Sequence, residues 1–475
     1  MKYDIIVVGA GPAGIFSCYE AAVKAPEKKV LLIDKGNDIY HRHCPIKEDK
    51  VKFCPKEKNG TNEAGCKPAC SITSGFGGAG AFSDGKFNIT TEYGGWLLDY
   101  MAPQQLMELI KYVDDINLRH GAAGELTNPD TDAVRIIEQQ AYGAGLKLLR
   151  AKVRHLGTEQ NLEILKSIYN FLQDKIEMRF QTEVEDILVT DSGGAGKVTG
   201  VALINGEMLN ADNIIIAPGR SGSAWLSEFS GRIGLNLCSN QVDVGVRVET
   251  ADIIMYDINK HLYEGKFIFN SSAGIIVRTF CSNPSGHVVV ENQSGIMSVN
   301  GHAFRDLKLG SENTNFALLV SHRFTEPFNM PNEYAREICK RANVLSGGGV
   351  IIQRFGDITR GRRSTEKRIS EGFITPTLPE AVPGDLGLVL PYNTMKSLVE
   401  MLQALDKITP GIASDHTLLY GVEAKFYSAR PKLSKSLETN ISGLYCGGDG
   451  AGITRGLAQA SAAGVWIVRN ILKKK

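Results

Sequence analysis

Gly9, Gly11, Gly14 and Asp34 are the residues whose types and spacing most directly imply chemistry. The glycines form a Gly-x-Gly-x-x-Gly run, and the acid follows Gly14 by twenty residues. In that spacing Gly9 permits a tight turn, Gly11 lets backbone approach a pyrophosphate, and Gly14 lets a helix pack closely on a strand. A helix opening at this point turns unpaired N–H groups and the positive end of its dipole toward phosphates. Asp34 would accept hydrogen bonds from a ribose hydroxyl pair, and an acid there argues against a 2′-phosphate on that ribose. Pro12 suits the first helical turn because it lacks an N–H that would have no helical partner, and Ala13 completes the run.

Two strands and a helix must hold these residues. Ile5-Ile6-Val7-Val8 leads into the glycines, residues 12–25 read as a helix, and Val30-Leu31-Leu32-Ile33 delivers Asp34. Residues 36–95 are irregular, and 103–150 read as largely helical, with apolar residues at helical spacing from Leu106 to Val113. A helix is expected from Thr158 to about Lys175, and Glu177–Thr190 alternates as a strand. Val198–Ile204 and Glu207–Leu209 read as further strands, and Asn213–Ala217 as a buried strand running into Pro218 and Gly219. Residues 243–430 mix strand-like segments with helical ones near 332–345 and 394–406. The chain closes with Leu444-Tyr445-Cys446, a glycine-rich turn carrying Gly448 and Asp449, and a helix from Gly456 to about Leu472.

At 475 residues, two or three compact units are expected. A formal net charge of +1 gives no footprint for nucleic acid or an acidic membrane surface. No run of about 18 apolar residues is present, so no membrane span is expected. The N-terminal residues lack the basic-then-apolar pattern of a signal peptide. Nine cysteines without a regular framework fit a reducing compartment, and the expected location is cytoplasmic.

The N-terminal fingerprint, the Ala217-Pro218-Gly219 strand end and Gly448-Asp449 before a last helix together resemble the two-domain FAD-dependent oxidoreductases of the glutathione-reductase-like superfamily. Ser74–Lys86, Gly421–Pro431 and Gly448–Ala463 are similar to segments of an uncharacterised group of bacterial FAD-dependent (NAD/FAD-utilising) dehydrogenases. The resemblance implies an α/β fold: a discontinuous, three-layer Rossmann-type FAD-binding domain (1–35, 158–245 and 436–475) with an inserted mixed α/β substrate domain (246–435). Residues 36–157 become a Cys/Gly-rich and helical insertion contacting FAD. Asp449 would take ribityl or phosphate-adjacent hydroxyls, and Gly456, Leu457 and Ala458 would aim N–H groups at an isoalloxazine carbonyl. Gly78, Ala79 and Gly80 would wrap the flavin, and Lys35 and Val184 belong to the same implied cofactor set. Gly75–Gly80 matches a second dinucleotide fingerprint only formally, since no buried strand precedes it. Any NAD(P)H would therefore bind transiently, as an electron donor at the flavin face.

The expected chemistry is hydride or electron transfer between noncovalent FAD and a small-molecule substrate. Lys86 is a candidate proton donor or stabiliser of reduced flavin, Arg430 a candidate for orienting an anion, and Arg455 sits at the start of the last helix. The alternative is a flavin-carrying RNA-modification or regulatory protein acting on a macromolecule. Cys44, Cys54, Cys66 and Cys70 precede the glycine-rich loop with 9, 11 and 3 residues between them, which is no standard metal signature. A metal or iron–sulfur cluster, a redox pair and inert thiols all remain open for them.

Overall fold

A computed structural model describes residues 2–45, 48, 50, 66, 69–83, 85–122, 125–190, 196–219, 222–238, 241–262, 265–293, 295–303, 307–325, 327–328, 330–426 and 430–474. The chain forms two compact units, one of Met1–Thr127, Ala151–Cys238 and Ser428–Lys475, the other of Asn128–Arg150 and Ser239–Tyr427. Among the described residues, no helix is long and apolar enough to cross a membrane.

The first unit is built on a sheet in the order Glu177–Arg179, Val30–Ile33, Lys2–Val8, Met208–Ile216, Lys197–Leu203, Val184–Thr190. Its first four strands run parallel, and Leu444–Cys446 adds a further parallel partner to Met208–Ile216. Val184–Thr190 and Lys197–Leu203 continue from it as an antiparallel meander. Ile5, Ile6, Val7, Leu31, Leu32, Ile214, Ile215 and Ile216 are each no more than 1% exposed. Such continuous apolar runs, rather than alternation, mark strands covered on both faces. Helices Pro12–Lys24 and Leu457–Lys473 pack so closely that a Cβ on Gly464 would stand 2.1 Å from the Ala13 carbonyl oxygen. Because the strands are parallel, Gly9, Asp34, Ala217 and Gly447 all leave the sheet at the same carboxyl edge.

Three sequence expectations are corrected. Glu177–Thr190 is two strands, Glu177–Arg179 on the parallel side and Val184–Thr190 in the meander. Glu207–Leu209 and Asn213–Ala217 belong to one strand, Met208–Ile216, which pairs antiparallel at its start and parallel at its end. The stretch 103–150 contains helices Pro103–Arg119 and Asp132–Gly143, but it ends in the strand Leu146–Leu149.

The second unit holds an eight-stranded sheet in the order Val382–Pro383, Ile351–Arg354, Leu418–Lys425, Val242–Ala251, Asn313–His322, Ile276–Asn283, Lys266–Asn270, Leu146–Leu149. Val242, Val244, Val246 and Val248 face an apolar core shared with Ile338, Leu398 and Met401 of its helices. The alternate residues Asp243, Arg247 and Glu249 lie on the opposite face of the same strand, and all three are fully buried. There Arg247 grips Glu423 with two hydrogen bonds, at 2.9 and 3.1 Å. Residues 128–150 group with this unit rather than with the rest of 36–157.

Candidate dinucleotide site

At the carboxyl edge of the first unit's parallel strands, glycines from distant segments meet backbone against backbone. A Cβ on Gly9 would stand 2.1 Å from the Ala217 oxygen, and one on Gly14 only 1.9 Å from the Gly9 oxygen. Gly9 also holds a φ of +106°, which side chains rarely adopt. A Cβ on Gly450 would meet the Gly219 oxygen at 2.0 Å, and one on Gly78 would meet the Gly11 Cα at 3.0 Å. Gly80 is pressed against Leu457 at 2.6 Å by the same measure, and Gly448 against Ala13 at 3.3 Å. The fingerprint, the strand end at 217–219, the loop at 78–80 and the turn at 448–450 are thus one assembly.

Gly11, Gly219 and Gly456 behave differently. A Cβ on any of them would meet nothing within 4 Å. Gly11 has an ordinary φ of −78°, so the protein's own packing does not require glycine there. The open space lies beside two helix starts, with Gly11 at the N-terminal boundary of Pro12–Lys24 and Gly456 at that of Leu457–Lys473. Neither helix has a side-chain cap. First-turn N–H groups without a cap, together with the helix dipole, are suited to an anion. This arrangement fits a dinucleotide pyrophosphate better than it fits a closed structural turn.

Asp34 ties the loops together. Its Oδ2 accepts from Ala10 N at 2.8 Å, while Oδ1 accepts from Gly36 N at 2.7 Å and Gly75 N at 2.8 Å. A carboxylate has about four acceptor positions, so three backbone bonds leave room for one ribose hydroxyl, not a dedicated pair. Gly77 N donates back to the Ala10 oxygen at 2.8 Å, and a Cβ on Gly36 would stand 2.4 Å from Gly75 N. Arg42 holds the same loop from behind. Its buried guanidinium donates to the carbonyls of Ser71, Ile72 and Phe76 at 2.6–3.1 Å. Burial pulls its pKa down to about 10, against the opposing influence of Asp34 and Cys70.

The remaining candidates take varied places. Asp449 Oδ1 accepts from Thr454 Oγ1 at 2.8 Å and from Gly456 N at 3.4 Å, so its carboxylate shapes the start of the last helix. Pro218 lies against Gly222, whose Cβ would meet its Cβ at 2.6 Å. Lys35 faces Glu183 at 3.7 Å on the surface, and Val184 is buried at the start of its strand. Ala79 lies within the short turn Gly78–Phe82, and Ala458 in the first turn of the last helix. Arg455 N donates to the Gly94 oxygen at 2.7 Å, while Lys86 opens the strand Lys86–Ile89 opposite His155. The Arg430 guanidinium donates to Asp99 Oδ2 at 2.7 Å and to the Tyr100 hydroxyl at 2.8 and 3.0 Å. Burial works to lower its pKa, but these bonds outweigh burial and leave it raised.

Sequence reasoning missed Arg42, Gly36 and the loop around Gly95. That loop joins the last helix through Trp96 N to the Ile453 oxygen at 2.9 Å and Gln459 Nε2 to the Tyr93 oxygen at 2.9 Å. Gly36, two residues past Asp34, was the available signal; a buried arginine inside an irregular stretch offers none. Cys44, Cys66 and Cys70 form no disulfide with one another, and Cys54 lies outside the described residues. Among the described residues, no group of three or more His, Cys, Asp or Glu side chains could hold a metal ion.

Known proteins give three kinds of likeness. The family described as "FAD-dependent protein, C-terminal domain-like" matches residues 241–426, within the second unit. An uncharacterised protein of Clostridium beijerinckii is 26% identical over 503 aligned residues, covering 100% of this chain and 81% of that one. Among solved structures, a variant of E. coli quinol fumarate reductase FrdA has 14% identity and a TM-score of 0.41, covering 100% of this chain and 70% of the other. Glycine oxidase from Geobacillus kaustophilus has 12% identity and a TM-score of 0.37, with 100% and 95% covered.

Proposed function

We propose that this chain is an FAD-dependent oxidoreductase acting on a small molecule, its first unit a Rossmann-type dinucleotide-binding domain. The observation that carries the reading is the open space at Gly11, Gly219 and Gly456, bordered by two uncapped helix starts on ground otherwise packed glycine to glycine. The family match over residues 241–426 supports the same cofactor. Ala13 and Gly14 would give backbone N–H groups to the pyrophosphate, and Asp34 one remaining acceptor position to the ribose. Asp449 would face ribityl hydroxyls from the turn it already braces. The first turn of Leu457–Lys473 would place its dipole against negative charge on the isoalloxazine. FAD, when bound, supplies hydride or electron transfer, and the protein supplies orientation and exclusion of water.

Purification of the chain followed by flavin analysis tests this reading. The expected result is tightly held FAD that can be reduced anaerobically and reoxidised by at least one of enones, quinones or disulfides. Bleaching by NADH or NADPH would identify a nicotinamide donor. Protein that takes up no FAD from excess cofactor would defeat the proposal.

A further inference from the structure

The amino edge of the first unit's parallel strands, opposite the edge that carries the glycine assembly, holds a cavity of about 310 Å³. It forms where Met208–Ile216 changes partners: Asn210 pairs with Gly200 of the meander, whereas Ile214 pairs with Leu444. The turn Ser442-Gly443 is wedged into that fork. Val198 N donates to the Ser442 oxygen at 3.0 Å, and Ile214 N to the Gly443 oxygen at 2.8 Å. These bonds fix the wedge in place, so the flanking strands cannot close on each other.

Close-packed proteins leave few voids larger than a water, whose share of liquid volume is about 30 Å³. A space ten times that size falls in the range of small-molecule sites. Its walls carry two chemistries. Ile5, 1% exposed, and Ile471 and Leu472 at the end of the last helix supply apolar surface. Lys28, Lys197 and Lys474 bring ammonium groups, and Asp4, Asp212 and Glu438 bring carboxylates. Lys197, Asp212 and Lys474 are exposed, so the mouth is open to solvent.

The carboxylates are already committed within the protein. Asp4 accepts from Lys28 Nζ at 2.7 Å through Oδ1 and from Lys29 N at 2.9 Å through Oδ2. Burial works to raise its pKa, but these bonds hold it below the usual carboxylate range, so it stays ionised. Glu438 accepts from Gly443 N at 2.9 Å through Oε1 and from Lys474 Nζ through Oε2. Asp212 accepts from Lys2 Nζ at 2.8 Å. Lys197 is engaged by no carboxylate among the described residues. Counting Lys2, four ammonium groups stand against three carboxylates, and each ammonium has three N–H donors. The mouth is therefore rich in donors and poor in acceptors.

We propose that this cavity binds a small organic monocarboxylate, its charged group bonded by Lys197 at the mouth and its apolar body laid against Ile5, Ile471 and Leu472. A carboxylate supplies the acceptors that the mouth lacks, through charge-assisted hydrogen bonds to ammonium groups. A single negative charge matches the one ammonium in excess, and the apolar wall selects a body of carbon and hydrogen over a bare anion. The site stands on residues at the amino edge of the sheet, so it does not rest on the flavin reading above.

Hexanoate, acetate and hexylamine, titrated calorimetrically into the purified full chain with FAD present and at fixed ionic strength, provide the test. The expected result is one hexanoate per chain, weaker acetate for want of an apolar body, and no binding of hexylamine. Lys197→Gln should weaken hexanoate roughly fivefold and Lys197→Glu further, with the unfolding temperature unchanged because the side chain is exposed. Ser442→Trp, which narrows the mouth and removes no charge, should weaken hexanoate as well. Hexylamine that binds as well as hexanoate, or hexanoate affinity that all three variants leave unchanged, would overturn the proposal. The flavin-free chain is titrated in parallel. Hexanoate bound only in the absence of FAD would place the probe in the dinucleotide site and overturn the proposal too. Colourless protein that binds hexanoate through Lys197 would defeat the flavin reading alone, whereas yellow protein without that binding would defeat only this site.

Discussion

Asp34→Asn should destabilise the protein even when no flavin is present. Three backbone donors converge on that carboxylate, Gly36 and Gly75 on Oδ1 and Ala10 on Oδ2, all within 2.8 Å. An amide keeps one acceptor oxygen, best placed where two donors converge. Its NH2 then faces the Ala10 N–H, donor against donor. One charge-assisted bond is lost and one backbone donor is left unpaired, a combined cost of roughly 3 kcal/mol. That is a large part of a typical stability of about 5–15 kcal/mol. Urea unfolding of the flavin-free variant beside the wild type measures it, with an unchanged denaturant slope marking a true stability effect. FAD affinity should fall as well, because the loops at Ala10, Gly36 and Gly75 lose their common anchor. An apoprotein of unaltered stability with weakened FAD binding would refute the reasoning and return Asp34 to the purely ribose-binding role expected from the sequence.

The last two glycines of the fingerprint should separate folding from binding. Gly11→Ala should fold normally yet lose flavin affinity, and Gly14→Ala, whose Cβ would lie 1.9 Å from the Gly9 oxygen, should lose stability; circular dichroism melts and flavin titration report both. Arg42→Met should cost about 3 kcal/mol in urea unfolding by orphaning the carbonyls of Ser71, Ile72 and Phe76. Glu423→Gln should cost about 3–5 kcal/mol by the same assay, since it leaves the fully buried Arg247 without its counter-charge. Asp357, 2% exposed, is also sensitive to pH. Burial would raise its carboxyl pKa, but bonds from Ser364 and Arg362 outweigh burial and hold it below the usual range. Its stabilising contribution is therefore complete above an unfolded pKa of about 3.9 and is lost as pH falls through the lower folded value. Asp357→Asn should lower stability at neutral pH and flatten the acid limb of the unfolding profile.

The glycine assembly was legible in the sequence where backbone chemistry restricts residue type. Gly9 and Gly14 announce close approach, and apolar runs such as Ile5–Val8 announce strands covered on both faces. Strand 208–216 was harder, because the polar Asn210, Asp212 and Asn213 interrupt its apolar pattern just where it changes partners. Glu177–Thr190 read as one strand because alternation continues across residues 180–183, although Gln181 turns there with a φ of +52°. Arg430 carries a charge that the sequence offers to a ligand, but Asp99 and Tyr100, more than three hundred residues away, already hold it. Long-range pairing decides its role, and composition does not record it.

Titration of the flavin-free chain with FAD, FMN and riboflavin, followed by flavin absorbance and fluorescence, tests the central claim most directly. The account predicts one FAD per chain, with FMN and riboflavin held far more weakly because they lack the adenosine and pyrophosphate that the Gly11 and Asp34 loops would receive. Equal binding of all three, or no bound chromophore in excess FAD, would contradict it.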